Sequence, residues 1–187
     1  MPLRSCFQLA ILPALLGCVC FAQSSATDLN GRQFDPVKSN PGKVVVLIFV
    51  RRDCPVSGRY APTIQRISGE HESAIRFYLV FPDKADSADQ IREYLKNFRY
   101  SLPALRDPSH VLVKQAHAQI TPEAAVFDGK GRLAYHGRID DLYVAFGRAR
   151  QSPTTHELED AIAAALAGHS PAKQEVAGVG CYISDLE

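Results

Sequence analysis

Two periods of hydrophobic and polar positions alternate along this chain. Val44 to Val50 is a continuous apolar, largely β-branched run launched by a Pro41-Gly42 turn. Such a run predicts a strand buried on both faces, as in the centre of a parallel or mixed sheet. Tyr60, Ile64 and Ile67 then recur at spacings of four and three, one face of a helix that Pro62 is expected to bend. Ile75 to Phe81 predicts a second strand. Ser87-Ala88-Asp89-Gln90 reads as a capping box opening a helix with Ile91, Tyr94, Leu95 and Phe98 on its inner face. Asp107-Pro108 predicts the cap and first turn of a short helix through about Ala118, turning Val111, Leu112 and Ala116 inward. Ala124 to Phe127 and Leu133 to Tyr135 flank Asp128-Gly129-Lys130-Gly131, a tight hairpin signal that makes this end of the sheet antiparallel. Thr154-Thr155-His156-Glu157 predicts the cap of a last helix in which Leu158, Ala161, Ile162, Ala165 and Leu166 keep helical period up to Gly168. Asn30-Gly31 marks a small hairpin between Asp28 and Phe34, whereas Pro171 to Gly180 keeps no period and reads as an irregular tail. The order of elements argues for an α/β fold, a mixed sheet with helices on both faces.

Composition narrows the classes of function. At 187 residues the chain is long enough for one well-cored domain and short for two. A formal net charge of +1 leaves no surplus with which to hold nucleic acid or an acidic membrane. Residues 1–22 read as a secretory signal, a basic start at Arg4 followed by an apolar run from Cys6 to Phe21 that Pro13 interrupts. Cleavage before Gln23 fits the small residues Cys20 and Ala22, and places the mature protein in the periplasm or another extracytoplasmic space. Leu15-Leu16-Gly17-Cys18 offers a competing reading, a lipobox whose Cys18 would anchor the protein to a membrane through lipid. Removal of residues 1–22 takes away Cys6, Cys18 and Cys20 and leaves only Cys54 and Cys181. In an oxidising compartment that pair is a structural staple, a redox couple or two unrelated thiols.

Cys54 stands where a buried strand gives way to a helix, and the unpaired amides of a first helical turn favour a thiolate there. Pro55 suits the first helical position, Arg51 and Arg52 add positive charge within reach, and Asp53 opposes them. The net expectation is a Cys54 pKa below the free-thiol value of about 8.5. Arg138-Ile139-Asp140-Asp141 is a further charged stretch, equally readable as a substrate-facing loop, a solvated charge cluster or a helix cap.

Lys43-Val44-Val45-Val46-Leu47-Ile48-Phe49-Val50, Cys54-Pro55, Thr121-Pro122 and Val126-Phe127-Asp128-Gly129-Lys130-Gly131 follow one another in an order that resembles the redoxin branch of the thioredoxin-like superfamily, the alkyl hydroperoxide reductase and thiol-specific antioxidant group. The resemblance covers about residues 28–167 and implies a thioredoxin-like domain over 23–170, with a C-terminal tail at 171–187 carrying Cys181. It also implies that Thr121-Pro122 is a cis-proline loop facing the thiol, and that no cofactor is required. Three positions depart from the group's patterns. Arg51 stands where peroxiredoxins place a threonine, and Thr121-Pro122-Glu123 stands where they carry an arginine, for which Arg138 or Arg51 are the candidate substitutes. Ser57 occupies the place of a thioredoxin's second cysteine, so resolution of an oxidised Cys54 falls to Cys181 or to an external thiol. The expected activity is that of a thiol-dependent oxidoreductase acting on a disulfide or a hydroperoxide, its partners a thiol reductant, a disulfide-bearing protein or a peroxide. A separate reading, by resemblance to the Sco copper chaperones, assembles Cys54, Cys181 and one of His110, His117 or His136, with His117 foremost, into a copper site.

Overall fold

The computed structural model describes residues 25–71 and 73–184. The proposed signal segment, with Cys6, Cys18 and Cys20, lies outside the described residues. β1 (Thr27–Asp28) leads into the Asn30-Gly31 turn, where Gly31 has φ 82° and the Asp28 carboxylate accepts from the amides of Asn30 and Arg32. The expected hairpin is present in minimal form, as one bridge between Thr27 and Gln33. β2 (Val44–Phe49) is buried along its whole length. The single bent helix expected next is instead two, α1 (Pro55–Arg59) and α2 (Ala61–Glu70). Pro62 has no N–H for the Gly58 carbonyl and its ring crowds that oxygen, so the ladder breaks rather than bends.

β3 (Ile75–Phe81) and α3 (Ala88–Asn97) follow as expected, and both bonds of the capping box between Ser87 and Gln90 are made. β4 (Ala104–Arg106) has no counterpart in the sequence pattern, because three residues are too few to show a period. α4 (Val111–Ala116) begins later than Asp107-Pro108 suggests. His110 takes a left-handed conformation at the N-cap, while the Asp107 carboxylate reaches forward to the amides of Val111 and Val113. That delayed start turns Leu112, Val113 and Ala116 inward and leaves Val111 half-buried.

β5 (Ile120–Thr121) precedes the hairpin of β6 (Glu123–Phe127) and β7 (Leu133–Gly137). Asp128 closes that turn by accepting from the amides of Lys130 and Arg132. A ribbon of β8 (Tyr143–Ala145) and β9 (Arg148–Ala149) comes before α5 (Glu157–Leu166). Leu158, Ala161, Ile162 and Ala165 are buried as expected, but Leu166 is exposed and the threonines do not cap the helix. Thr154 is bound by the Asp141 carboxylate and Thr155 donates to Glu157, so His156 is left at the N-cap.

The segment read as an irregular tail is built into the fold through β10 (Glu175–Val176) and β11 (Cys181–Tyr182). The main sheet runs β1-β4-β3-β2-β6-β7-β10, and β11 pairs with β5 beside it. β2 lies parallel to β3 and antiparallel to β6, so the sheet is mixed. Alternation along β2 divides the core. Val44, Val46 and Ile48 face α2, α3 and α5, while Val45, Leu47 and Phe49 face α4. Every apolar residue of the central strand is thus taken out of water, each worth roughly 1.5–3 kcal/mol.

Candidate active site

The chain leaves the sheet at the C-terminal end of β2, where the Val50 amide still donates to the Val80 carbonyl. Arg51 to Asp53 form a turn closed by the Cys54 amide on the Arg51 carbonyl at 3.3 Å. Cys54 is the N-cap of α1 with extended backbone, and Pro55 follows at the helix start, where a missing N–H costs no bond. The Cys54 side chain is only 2% exposed. Its Sγ lies 3.1 Å from the Thr121 carbonyl and 2.6 Å from the Sγ of Cys181, and both cysteines are free thiols. The Thr121-Pro122 bond is cis, as the resemblance implied.

Burial pushes the Cys54 thiol up. Hydrogen bonds from the Cys181 thiol, from the amide and hydroxyl of Ser57 and from the Thr121 side chain outweigh it and hold Cys54 below the ordinary thiol value. Cys181 moves the other way: burial, its hydrogen bond to Cys54 and the charge on that sulfur push it up to about 12. The hydrogen bond between the two sulfurs accordingly runs from the Cys181 thiol to the Cys54 sulfur. The expected direction of the Cys54 shift is found, but its cause differs from the expected arginines. Arg51 pairs with Asp53 and Asp83 and donates to the Tyr182 carbonyl at 3.1 Å, and Arg52 pairs with Asp86. Arg138, the other candidate peroxide-binding arginine, pairs with Glu157 and donates to Thr155.

The copper set is not brought together. Among the described residues no group of three His, Cys, Asp or Glu side chains is placed to hold a metal ion. His110 contacts the Pro82 carbonyl, and the His117 ring lies tilted beside that of His136, which itself meets Glu123. Asp140 and Asp141 are buried rather than solvated. Asp140 accepts from the Tyr60 hydroxyl, and Asp141 binds Thr154, Thr155 and Arg150.

Three contributors escaped the sequence reading. Buried Glu123 accepts from the amides of Gln119 and Ile120 and so holds β5 in place beside Cys54. Gly180 lets β11 lie flat on the cis-proline loop, since a Cβ there would collide with the Thr121 carbonyl. Ile183 buries its side chain in the α4-side core and donates its amide to the Gln119 carbonyl. A charged residue in the apolar run Glu123–Phe127, and two glycines just before a late cysteine, were the available signals. A cavity of 740 Å³ opens at the other end of β2 near Lys43 and Leu133, away from both sulfurs. A groove of 380 Å³ between Pro55, Arg59, Tyr143 and Phe146 adjoins the thiol loop.

A mixed sheet, a cysteine at the N-cap after its central strand and a cis-proline loop against that cysteine define a thioredoxin-like fold. Known structures agree. The chain is similar to an uncharacterized conserved protein from Geobacillus kaustophilus at 22% identity and TM-score 0.72, over 85% of this chain and 86% of that one. It is similar to a secreted disulfide oxidoreductase of Mycobacterium tuberculosis at 19% identity and TM-score 0.52, over 77% and 94%. An exposed lipoprotein thioredoxin of Streptococcus pneumoniae strain TIGR4 gives 22% and 0.54, over 75% and 95%. No family model and no curated protein matches the chain. At these identities the likeness is one of fold, and the chemistry rests on this chain's own residues.

Proposed function

We propose that the protein is an extracytoplasmic thiol-disulfide oxidoreductase in which Cys54 is the nucleophile and Cys181 resolves it. The observation that carries this reading is the sulfur pair itself, 2.6 Å apart, with one thiol held below and the other far above the ordinary value. Cys54 attacks one sulfur of a substrate disulfide, forming a mixed disulfide and expelling the other sulfur as a thiolate that takes a proton from solvent. Cys181 gives up its proton and attacks the Cys54 sulfur, releasing the second substrate thiol. The substrate has gained two electrons, and the Cys54–Cys181 disulfide that results is returned to two thiols by an external dithiol. Ser57 and Thr121 steady the thiolate, and Pro55 and Pro122 shape the two loops that bring the sulfurs together. The signal-like residues 1–22 support the compartment, as do the secreted and surface-exposed proteins of similar fold.

Peroxide reduction ranks second because neither Arg51 nor Arg138 is directed at the Cys54 sulfur. Mixing reduced protein with an oxidised model disulfide or with hydrogen peroxide, followed by intact mass, decides between them. The expected product is a loss of two hydrogens in the native chain and a trapped mixed disulfide in Cys181→Ser. Faster consumption of peroxide than of disulfide would reverse the order.

A further inference from the structure

Arg51 is a charged side chain of the thiol loop that takes no part in attack by Cys54. It is 19% exposed, and its guanidinium spans three elements. Nη2 meets the carboxylate of Asp53 at 2.9 Å in the same loop and that of Asp83 at 3.3 Å beyond β3, while Nη1 donates to the Tyr182 carbonyl at 3.1 Å. Two carboxylates on one side fix the planar fork so that Nη1 faces β11. The residue is also held at its root, because its amide donates to the Ser57 hydroxyl at 3.4 Å and Ser57 in turn bonds the Cys54 sulfur. Tyr182 follows Cys181, so this contact ties the resolving cysteine to the loop that carries its target. The remaining anchors tie it elsewhere: β11 is held to β5 and Gln119 by the Thr121 hydroxyl and the Ile183 amide, and β10 pairs with β7. A disulfide accepts only a narrow geometry, and misplacing a reacting atom by about 1 Å can slow a step about 100-fold. Charge acts alongside position. Burial and the hydrogen bond to Cys54 push the Cys181 thiol up, Arg51 opposes them and Asp53 adds to them.

We propose that Arg51 is a positioning residue for the resolution step: its guanidinium grips the Tyr182 carbonyl and so brings Cys181 onto the Cys54 sulfur. Cys181 covers that sulfur in the resting protein, so it gives way when Cys54 joins a substrate sulfur and must then return. Arg51 sets the return. Cys181 loses its proton to solvent and its sulfur attacks that of Cys54. The bond between Cys54 and the substrate sulfur breaks, and the substrate leaves as a thiolate that takes up a proton. Arg51 gains and loses no atom, and its positive charge favours the Cys181 thiolate as it forms. This inference rests on Cys54 being the nucleophile and Cys181 its resolving thiol.

The test reacts the full reduced chain with hydroxyethyl disulfide, quenches with acid at intervals and reads peptide masses. These follow the mixed disulfide on Cys54 as it forms and as it gives way to the Cys54–Cys181 disulfide. In Arg51→Met, which keeps the stem and removes the fork, decay of the mixed disulfide is expected to slow about tenfold, while its formation is at least as fast as in the native chain. Equilibrated with glutathione, the Cys54–Cys181 disulfide is expected to become easier to reduce by the same factor, a potential about 30 mV less negative. Arg51→Lys keeps the charge on a donor without the fork, and is expected to recover part of both losses while leaving decay several-fold slow. Decay at the native rate in Arg51→Met, or a loss confined to formation, would overturn the proposal. If Arg51→Met does not fold, native decay and a native potential in Arg51→Lys overturn it alone. Cys181→Ser, whose mixed disulfide cannot decay, separates the two layers. No adduct on Cys54 there removes the nucleophile and the proposal with it, whereas an adduct there alongside equal decay in Arg51→Met and the native chain removes the role of Arg51 only.

Discussion

The segment from Val44 to Arg59 and the segment from Glu175 to Ser184 each deliver one sulfur to the same point, by different physics. The first is local: a strand with no exposed residue, a three-residue turn, an N-cap cysteine and a proline-started helix follow one another without a gap. Apolar burial fixes it, and it needs no distant partner to aim Cys54. The second has two strands of two residues each, none of them fully buried, and hangs on β7 and β5 by backbone pairing, on Arg51 by one carbonyl and on the core by Ile183. The proposed nucleophile thereby stands on a fully packed strand, while its proposed resolving partner sits on a segment with few anchors.

The largest expected effect separates the two sulfurs outright. Cys54→Ser should abolish disulfide exchange, whereas Cys181→Ser should leave the first step and stop at a mixed disulfide, both read by intact mass. Stability should divide next. Ile48→Ala, at a fully buried position of β2, should cost about 3 kcal/mol in urea unfolding, within the range for such truncations. In hydrogen exchange, the Ile183 amide should open well below the global free energy and the Ile48 amide only with it. Equal protection of both would erase the contrast.

Acidity offers a smaller and more pointed comparison, since the two thiols push stability in opposite directions. Cys54 is depressed in the folded state, so its contribution is present above the unfolded value of about 8.5 and is lost as pH falls through the folded pKa. Cys181 is raised, so its contribution is full below about 8.5 and is lost as pH climbs toward about 12. Alkylation of the reduced chain, followed by peptide mass, should modify Cys54 at lower pH than Cys181. The smallest effect is at Ser57. Ser57→Ala should move the Cys54 alkylation midpoint to higher pH with little change in stability, and an unchanged midpoint would dismiss the Ser57 hydroxyl as a thiolate partner.

Much of the first segment was legible in the residues. Seven consecutive apolar positions, Val44 to Val50, can only be satisfied inside a sheet, and Cys54-Pro55 after them leaves a thiol at a helix start whatever the rest of the fold does. The capping box at Ser87 and the Asp128 turn were legible for the same reason, because their bonds close within a few residues. The second segment was not. β10 and β11 are too short and too exposed to show a period, so Glu175 to Tyr182 read as a tail. Its glycines were visible, but nothing near them along the chain tied them to a close contact. Gly180 is required by the Thr121 carbonyl, an atom nearly sixty residues away in sequence.

By itself the sequence determined that one thiol, Cys54, is presented at the end of a buried strand, because strand burial and helix start are set by neighbours along the chain. Only the tertiary structure decided what that thiol faces. Cys181, the cis Thr121-Pro122 loop and the Glu123 carboxylate that positions β5 converge on it through sheet-edge pairing. Backbone groups that make such pairings are the same in every residue, and no side-chain pattern announces which edge they will choose.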